Sequence, residues 1–171
     1  MNLYLHINDL RTTGDEHGDI HLNDDIRFLY SKQNTVMDGE FTKILFSREN
    51  FTMNGLYLLF PIMIDKRANG KAEYANHIRS IQNASPPNSI LLRDFCLLER
   101  KLLAQYKKFN HCEKHMELSF SKQISTKQIR VYTEMGKHSH VSAPTFIIKI
   151  SGIWESHDRV GITYKIVEVS P

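Results

Sequence analysis

Residues 147–169 read IIKISGIWESHDRVGITYKIVEV. Two runs of β-branched and aromatic residues flank a short polar stretch, which is the pattern of a β-hairpin. Side chains alternate between the two faces of a strand. In the first arm Phe146, Ile148, Ile150, Gly152 and Trp154 therefore share one face, and Ile147, Lys149, Ser151 and Ile153 the other. In the second arm Val160, Ile162, Tyr164 and Ile166 oppose Gly161, Thr163, Lys165 and Val167. Each arm has one strongly apolar face and one mixed face carrying a lysine and a hydroxyl. Pairing the arms gathers Lys149, Ser151, Thr163 and Lys165 into a small cationic patch. Strict alternation puts the single tryptophan, Trp154, on the apolar side. A bulge at Gly152, a common role for a strand glycine, would turn it outward.

The same alternation in QIRVYTEM (128–135) sends Ile129 and Val131 inward and Arg130 and Tyr132 outward. Short strands are also predicted at 4–7, 26–30, 41–47, 56–64 and 116–121, bounded by Gly, Asn and Asp. DKRANGKAEY (65–74) reads as a loop with a tight turn at Asn69-Gly70 and basic residues Lys66, Arg67 and Lys71, and NASPPN (83–88) as a second break. One helix is predicted over residues 89–108. Leu91, Phe95, Leu98, Leu102 and Tyr106 form a stripe at helical period, Asn88 or Ser89 is its N-cap, and Lys107 and Lys108 suit its C-terminus. Strands, one helix, then strands suits a β-barrel with a packed helix. A βαβ sheet would need a helix at each crossover.

With 171 residues, 41% hydrophobic and 24% charged, the chain is sized and composed for one globular domain, 1–171. It shows no internal repeat, no apolar run long enough to cross a bilayer, and no signal-peptide pattern at its start. Two cysteines, Cys96 and Cys112, make no disulfide framework, so an intracellular compartment is expected. Charge is uneven. Residues 1–85 hold 9 Lys+Arg and 11 Asp+Glu, a balance of −2, whereas 86–171 hold 13 and 8, a balance of +5. A basic C-terminal half is compatible with a polyanionic partner.

The steps Gly152–Ile153–Trp154 and Gly161–Ile162–x–Tyr164, set around a short polar turn, resemble the closing hairpin of OB-fold single-stranded DNA-binding proteins of bacteriophages, large DNA viruses and mobile elements. The resemblance covers about 25 residues. It implies a mainly β, OB-like barrel with one amphipathic helix and additional strands. It also implies a non-catalytic protein that coats single-stranded DNA, or RNA, in replication, recombination or repair, in the nucleus or cytoplasm of a host cell. The acidic tail of several phage members has no counterpart in VEVSP. Such a surface needs rings for stacking and cations for phosphates. Tyr57, Arg130 and Tyr132 are the candidates for bases, with Trp154 if a bulge exposes it. Lys43, Lys149, Arg159 and Lys165 are the candidates for phosphates. Tyr57 stands opposite Leu56, Leu58 and Phe60 in alternation, and Lys43 alternates with Ile44. Homo-oligomerisation is left open.

Other chemistries find weaker support. His17 with His21, His111–Cys112–His115 with Cys96, and His138 with His140 lack the paired-cysteine spacing of a zinc site. Cys112 beside His111 and His115 has the residue types of a nucleophile and base, but neighbours in sequence rarely form the working pair. No phosphate-loop, nucleophile-elbow or zincin motif occurs. Asp15, Glu16, Asp19, Asp24 and Asp25 would have to converge to hold Mg²⁺ for a nuclease. The sequence thus points to no catalytic residue, metal or cofactor. The main alternative is a viral or mobile-element accessory protein, a β-barrel or sandwich that binds a protein partner.

Overall fold

The computed structural model describes residues 4–10, 20, 22, 24–36, 38–62, 76–81, 86–133 and 145–169. Within them ten strands make one connected sheet. They are β1 (Ile26–Phe28), β2 (Lys32–Gln33), β3 (Glu40–Arg48), β4 (Phe51–Asn54), β5 (Leu56–Leu59), β6 (Asn76–Ser80), β7 (His115–Glu117), β8 (Gln128–Thr133), β9 (Thr145–Glu155) and β10 (Arg159–Val169). Two α-helices accompany them, α1 (Pro86–Phe109) and α2 (Ser119–Ser125). The chain is mainly β, with one long amphipathic helix, as the sequence predicts. The strand path β1-β3-β9-β10-β8-β6 is that of a large open sheet, and no pairing joins β1 to β6 among the described residues.

The β9–β10 hairpin is the axis of the sheet. Its arms pair antiparallel from Val160↔Glu155 to Val169↔Thr145, with one register shift. Thr163 faces Gly152 and Tyr164 faces Ile150, so Ser151 is an extra residue on β9. One extra residue reverses the alternation of everything beyond it. Phe146, Ile148 and Ile150 are buried before the bulge, and Ile153, not Trp154, is buried after it. The strict-alternation expectation for Trp154 and Ile153 is thereby corrected: they exchange faces.

Each outer edge of the hairpin is shared by two strands. β9 pairs β5 over Ile147–Ile150 and β3 over Gly152–Glu155, so its partner changes at the bulge. β10 runs parallel to β7 at Arg159–Gly161 and parallel to β8 at Ile166–Glu168. The connection from β7 to β8 carries α2.

Helix α1 covers the apolar face. Phe95, Leu98, Leu102 and Tyr106 are buried, and Leu91 packs at the margin of the same cluster as Ile148, Ile150, Ile162 and Val131. Burying each such side chain is worth about 1.5–3 kcal/mol. That burial, more than intrinsic propensity, holds a helix in water. The helix starts at Pro86, three residues before the predicted Ser89. Pro-Pro reads as a break, yet proline is tolerated in the first turn, where its missing N–H needs no partner.

The strand expected at 116–121 is replaced by β7 and α2. Met116, Leu118 and Phe120 imitate strand alternation, but Phe120 is buried from a helix whose own N-cap, Leu118, supplies no side-chain bond. The cap comes from α1. The buried Glu99 carboxylate accepts the Phe120 and Ser121 N–H groups, both at 2.9 Å, and the Ser121 hydroxyl at 2.7 Å. β2, β4 and β6 were not expected. The strand expected at 4–7 is a bridge, Leu5↔Leu58, leading into a 3-10 turn at Ile7–Leu10. The loop at 65–74, Asp15, Glu16, Asp19, and the histidines at 17, 21, 138 and 140 lie outside the described residues.

Candidate nucleic-acid interface

The face of the sheet opposite α1 follows from the register. Gly161 and Thr163 of β10 lie beside Trp154 and Gly152 of β9, and Lys165 and Val167 beside Lys149 and Ile147. Moving outward on one side, Phe41 and Lys43 of β3 flank Trp154 and Gly152, and Tyr57 of β5 flanks Lys149. On the other side Tyr132 of β8 flanks Val167, with Arg130 two residues before it on the same face. Lys43, Tyr57, Arg130, Tyr132, Lys149, Trp154 and Lys165 thus share one face. Ile147 is buried on this face, apart from the main apolar cluster.

Two glycines make room for the rings. A Cβ at Gly161 would stand 2.5 Å from the Trp154 indole, and one at Gly152 would stand 2.6 Å from the Phe41 ring. Both rings therefore lie down on the sheet. Trp154 and Phe41 are half-buried: one side is supported and the other is available.

The lysines stand with the tyrosines. Lys149 Nζ is 5.0 Å from the Tyr57 ring centre, and Lys165 Nζ is 5.3 Å from that of Tyr132. A cation–π contact at an exposed site is worth about 0.5–1 kcal/mol. Stacking one base is worth about 1–3 kcal/mol. An incoming base would win that competition, leaving the flexible lysine free to follow the phosphate. No ion pair engages Lys43, Arg130, Lys149 or Lys165 among the described residues. Four cations without carboxylate partners make this face electropositive.

Arg159 differs from its predicted partners. Its guanidinium meets Glu117 at 3.0 Å and Asp158 at 3.6 Å. Lys122 also pairs with Glu117, and this bond first, then that of Arg159, holds the carboxyl below its ordinary range. Arg159 sits at the rim with its charge already matched. Phe41 was missed, although its alternation with Lys43 in FTKILF was a usable signal.

Behind Trp154 a polar chain joins sheet to helix. Tyr106 donates to Glu155 at 2.7 Å, and Lys114 meets Glu155 at 2.6 Å. Burial pushes the Glu155 carboxyl up, but the hydrogen bonds from Lys114 and Tyr106 outweigh it and hold the group below its ordinary value. Burial also raises the Tyr106 hydroxyl.

Among the described residues no three His, Cys, Asp or Glu side chains gather to hold a metal. Burial raises the Cys96 thiol, which disfavours a thiolate nucleophile. Asp25 is engaged by Arg48 at 2.9 Å. Among the described residues no helix is long and apolar enough to cross a membrane. No family model, curated protein or solved structure matches the chain.

Proposed function

We propose that this protein binds single-stranded nucleic acid, DNA or RNA, on the face of the sheet opposite α1, without catalysis. The observation that carries the reading is the grouping of Lys43, Arg130, Lys149 and Lys165, none of them ion-paired among the described residues, with Tyr57, Tyr132 and Trp154. Cations contribute salt-dependent affinity through counterion release, and rings contribute stacking that tolerates any base. The resemblance of the closing hairpin to phage and viral single-strand binders adds a role in replication, recombination or repair, inside a host cell.

The test uses the one tryptophan. Titrating its fluorescence with oligo-dT at low and high salt should show binding that weakens steeply with salt. The reading falls if the oligonucleotide leaves emission and mobility unchanged at low salt, or if duplex DNA binds better than single strands.

A protein partner is the second reading, favoured by a separate observation. Tyr30 is 95% and Val36 88% exposed around β2, and Phe109 is 64% exposed at the end of α1. Pull-down by a partner that is lost on Tyr30→Ser, with oligonucleotide binding absent, would favour it.

A further inference from the structure

The edge of β10 between its β7 and β8 partners is bridged by α2, and a cavity of about 340 Å³ opens there. Tyr164 and Lys165 line it from β10, Gln128, Arg130 and Tyr132 from β8, and Gln123 from α2. Lys165, Arg130 and Tyr132 belong equally to the face described above, so the cavity continues that face into the sheet.

Its polar groups include two cations that only donate, with Thr126, Gln128 and Tyr132 able to donate or accept. Tyr164 donates its hydroxyl to Gln123 Oε1 at 2.7 Å, which leaves Gln123 its NH2 to offer. Arg130 and Lys165 can only donate. Among the described residues no Asp or Glu lines the cavity. Tyr132 adds a flat ring at the wall. A matching ligand is planar, rich in acceptors and joined to an anion.

We propose that the cavity takes one unstacked base of the bound strand and prefers a keto base (thymine, uracil or guanine) to adenine. This rests on the strand-binding reading and refines it: most of the face tolerates any base, and one position discriminates. A keto oxygen accepts from the Gln123 amide. Adenine sets its own amino donor against it, and an unmatched donor in a partly closed site costs affinity.

The experiment compares the affinities of oligo-dT and oligo-dA of equal length for the wild type, Gln123→Ala, Gln123→Glu and Lys165→Ala. Self-stacking of oligo-dA cancels when the dT-to-dA ratio is compared between proteins. Gln123→Ala should lower that ratio about fivefold, the scale of one net hydrogen bond. Gln123→Glu keeps an acceptor for Tyr164 but replaces the NH2 donor by a carboxylate, and should lower the ratio at least as far. Lys165→Ala should weaken both oligonucleotides alike. An unchanged ratio in both Gln123 variants that still bind oligo-dT overturns the cavity proposal and leaves the strand reading standing. A wild-type protein that binds neither oligonucleotide overturns both.

Discussion

The two edges of the β9–β10 hairpin face the same problem and solve it differently. Each must pass from one neighbouring strand to another along its length. On the β9 edge the handover from β5 to β3 is tight: Ser151 bulges, and Gly55, at φ +101°, crosses so close that a Cβ there would lie 2.7 Å from the Ile150 carbonyl oxygen. On the β10 edge the chain between β7 and β8 detours through a seven-residue helix and leaves a cavity. Backbone fills the first gap. Side chains line the second, and side chains can be specific where backbone cannot. Under the proposed strand binding, the difference places selectivity on the β10 edge and rigidity on the β9 edge.

Substitutions at three positions probe that difference. Glu99→Ala should act most strongly, because it strips α2 of its cap and strands two N–H groups at a buried junction. A loss of about 3 kcal/mol in urea unfolding is expected, with about half of it restored in Glu99→Gln, which keeps one acceptor oxygen. A loss below experimental error would show that α2 needs no help from α1. Gly55→Ala should cost about 2 kcal/mol, since a non-glycine residue at this φ is strained and its Cβ meets the Ile150 carbonyl. If it is neutral, the β9 handover is looser than the register implies.

The smallest effect concerns the start of β7, where Lys114 ties the incoming chain to Glu155 and to the Ser156 carbonyl. The Glu155 carboxyl is held below its ordinary 4.5 in the folded protein. Its contribution is therefore complete above that value and fades as pH falls through the lowered one. The pair is partly exposed, so the amount is under about 1 kcal/mol. Lys114→Met should reduce the loss of urea stability between neutral pH and about pH 3 by that amount. An identical acid loss in wild type and variant would exclude the pair as its source.

Much of this was legible beforehand, and the reasons are specific. The hairpin and α1 announce themselves through long, regular periods, and alternation alone turns Lys149 with Lys165, and Arg130 with Tyr132, outward; that the two pairs share one face follows from the pairing of β8 with β10. Trp154 was undecidable: its face depends on a bulge, and the bulge depends on where β5 ends and β3 begins along β9. The helix α2 was hidden because seven residues are too few to show a period and its cap lies on α1. Gln123 carried no signal, since its value comes from a tyrosine hydroxyl 41 positions away. Arg159 looked like its fellow cations until Glu117 was placed beside it.

Ser151 contributes through counting more than through chemistry. It is the one unit of chain that puts the two halves of β9 out of phase, so that Ile148, Ile150 and Ile153 all point to the core while the indole emerges on the far side. Information of that kind is stored in spacing: at this point the protein is more sensitive to the number of its residues than to their identity.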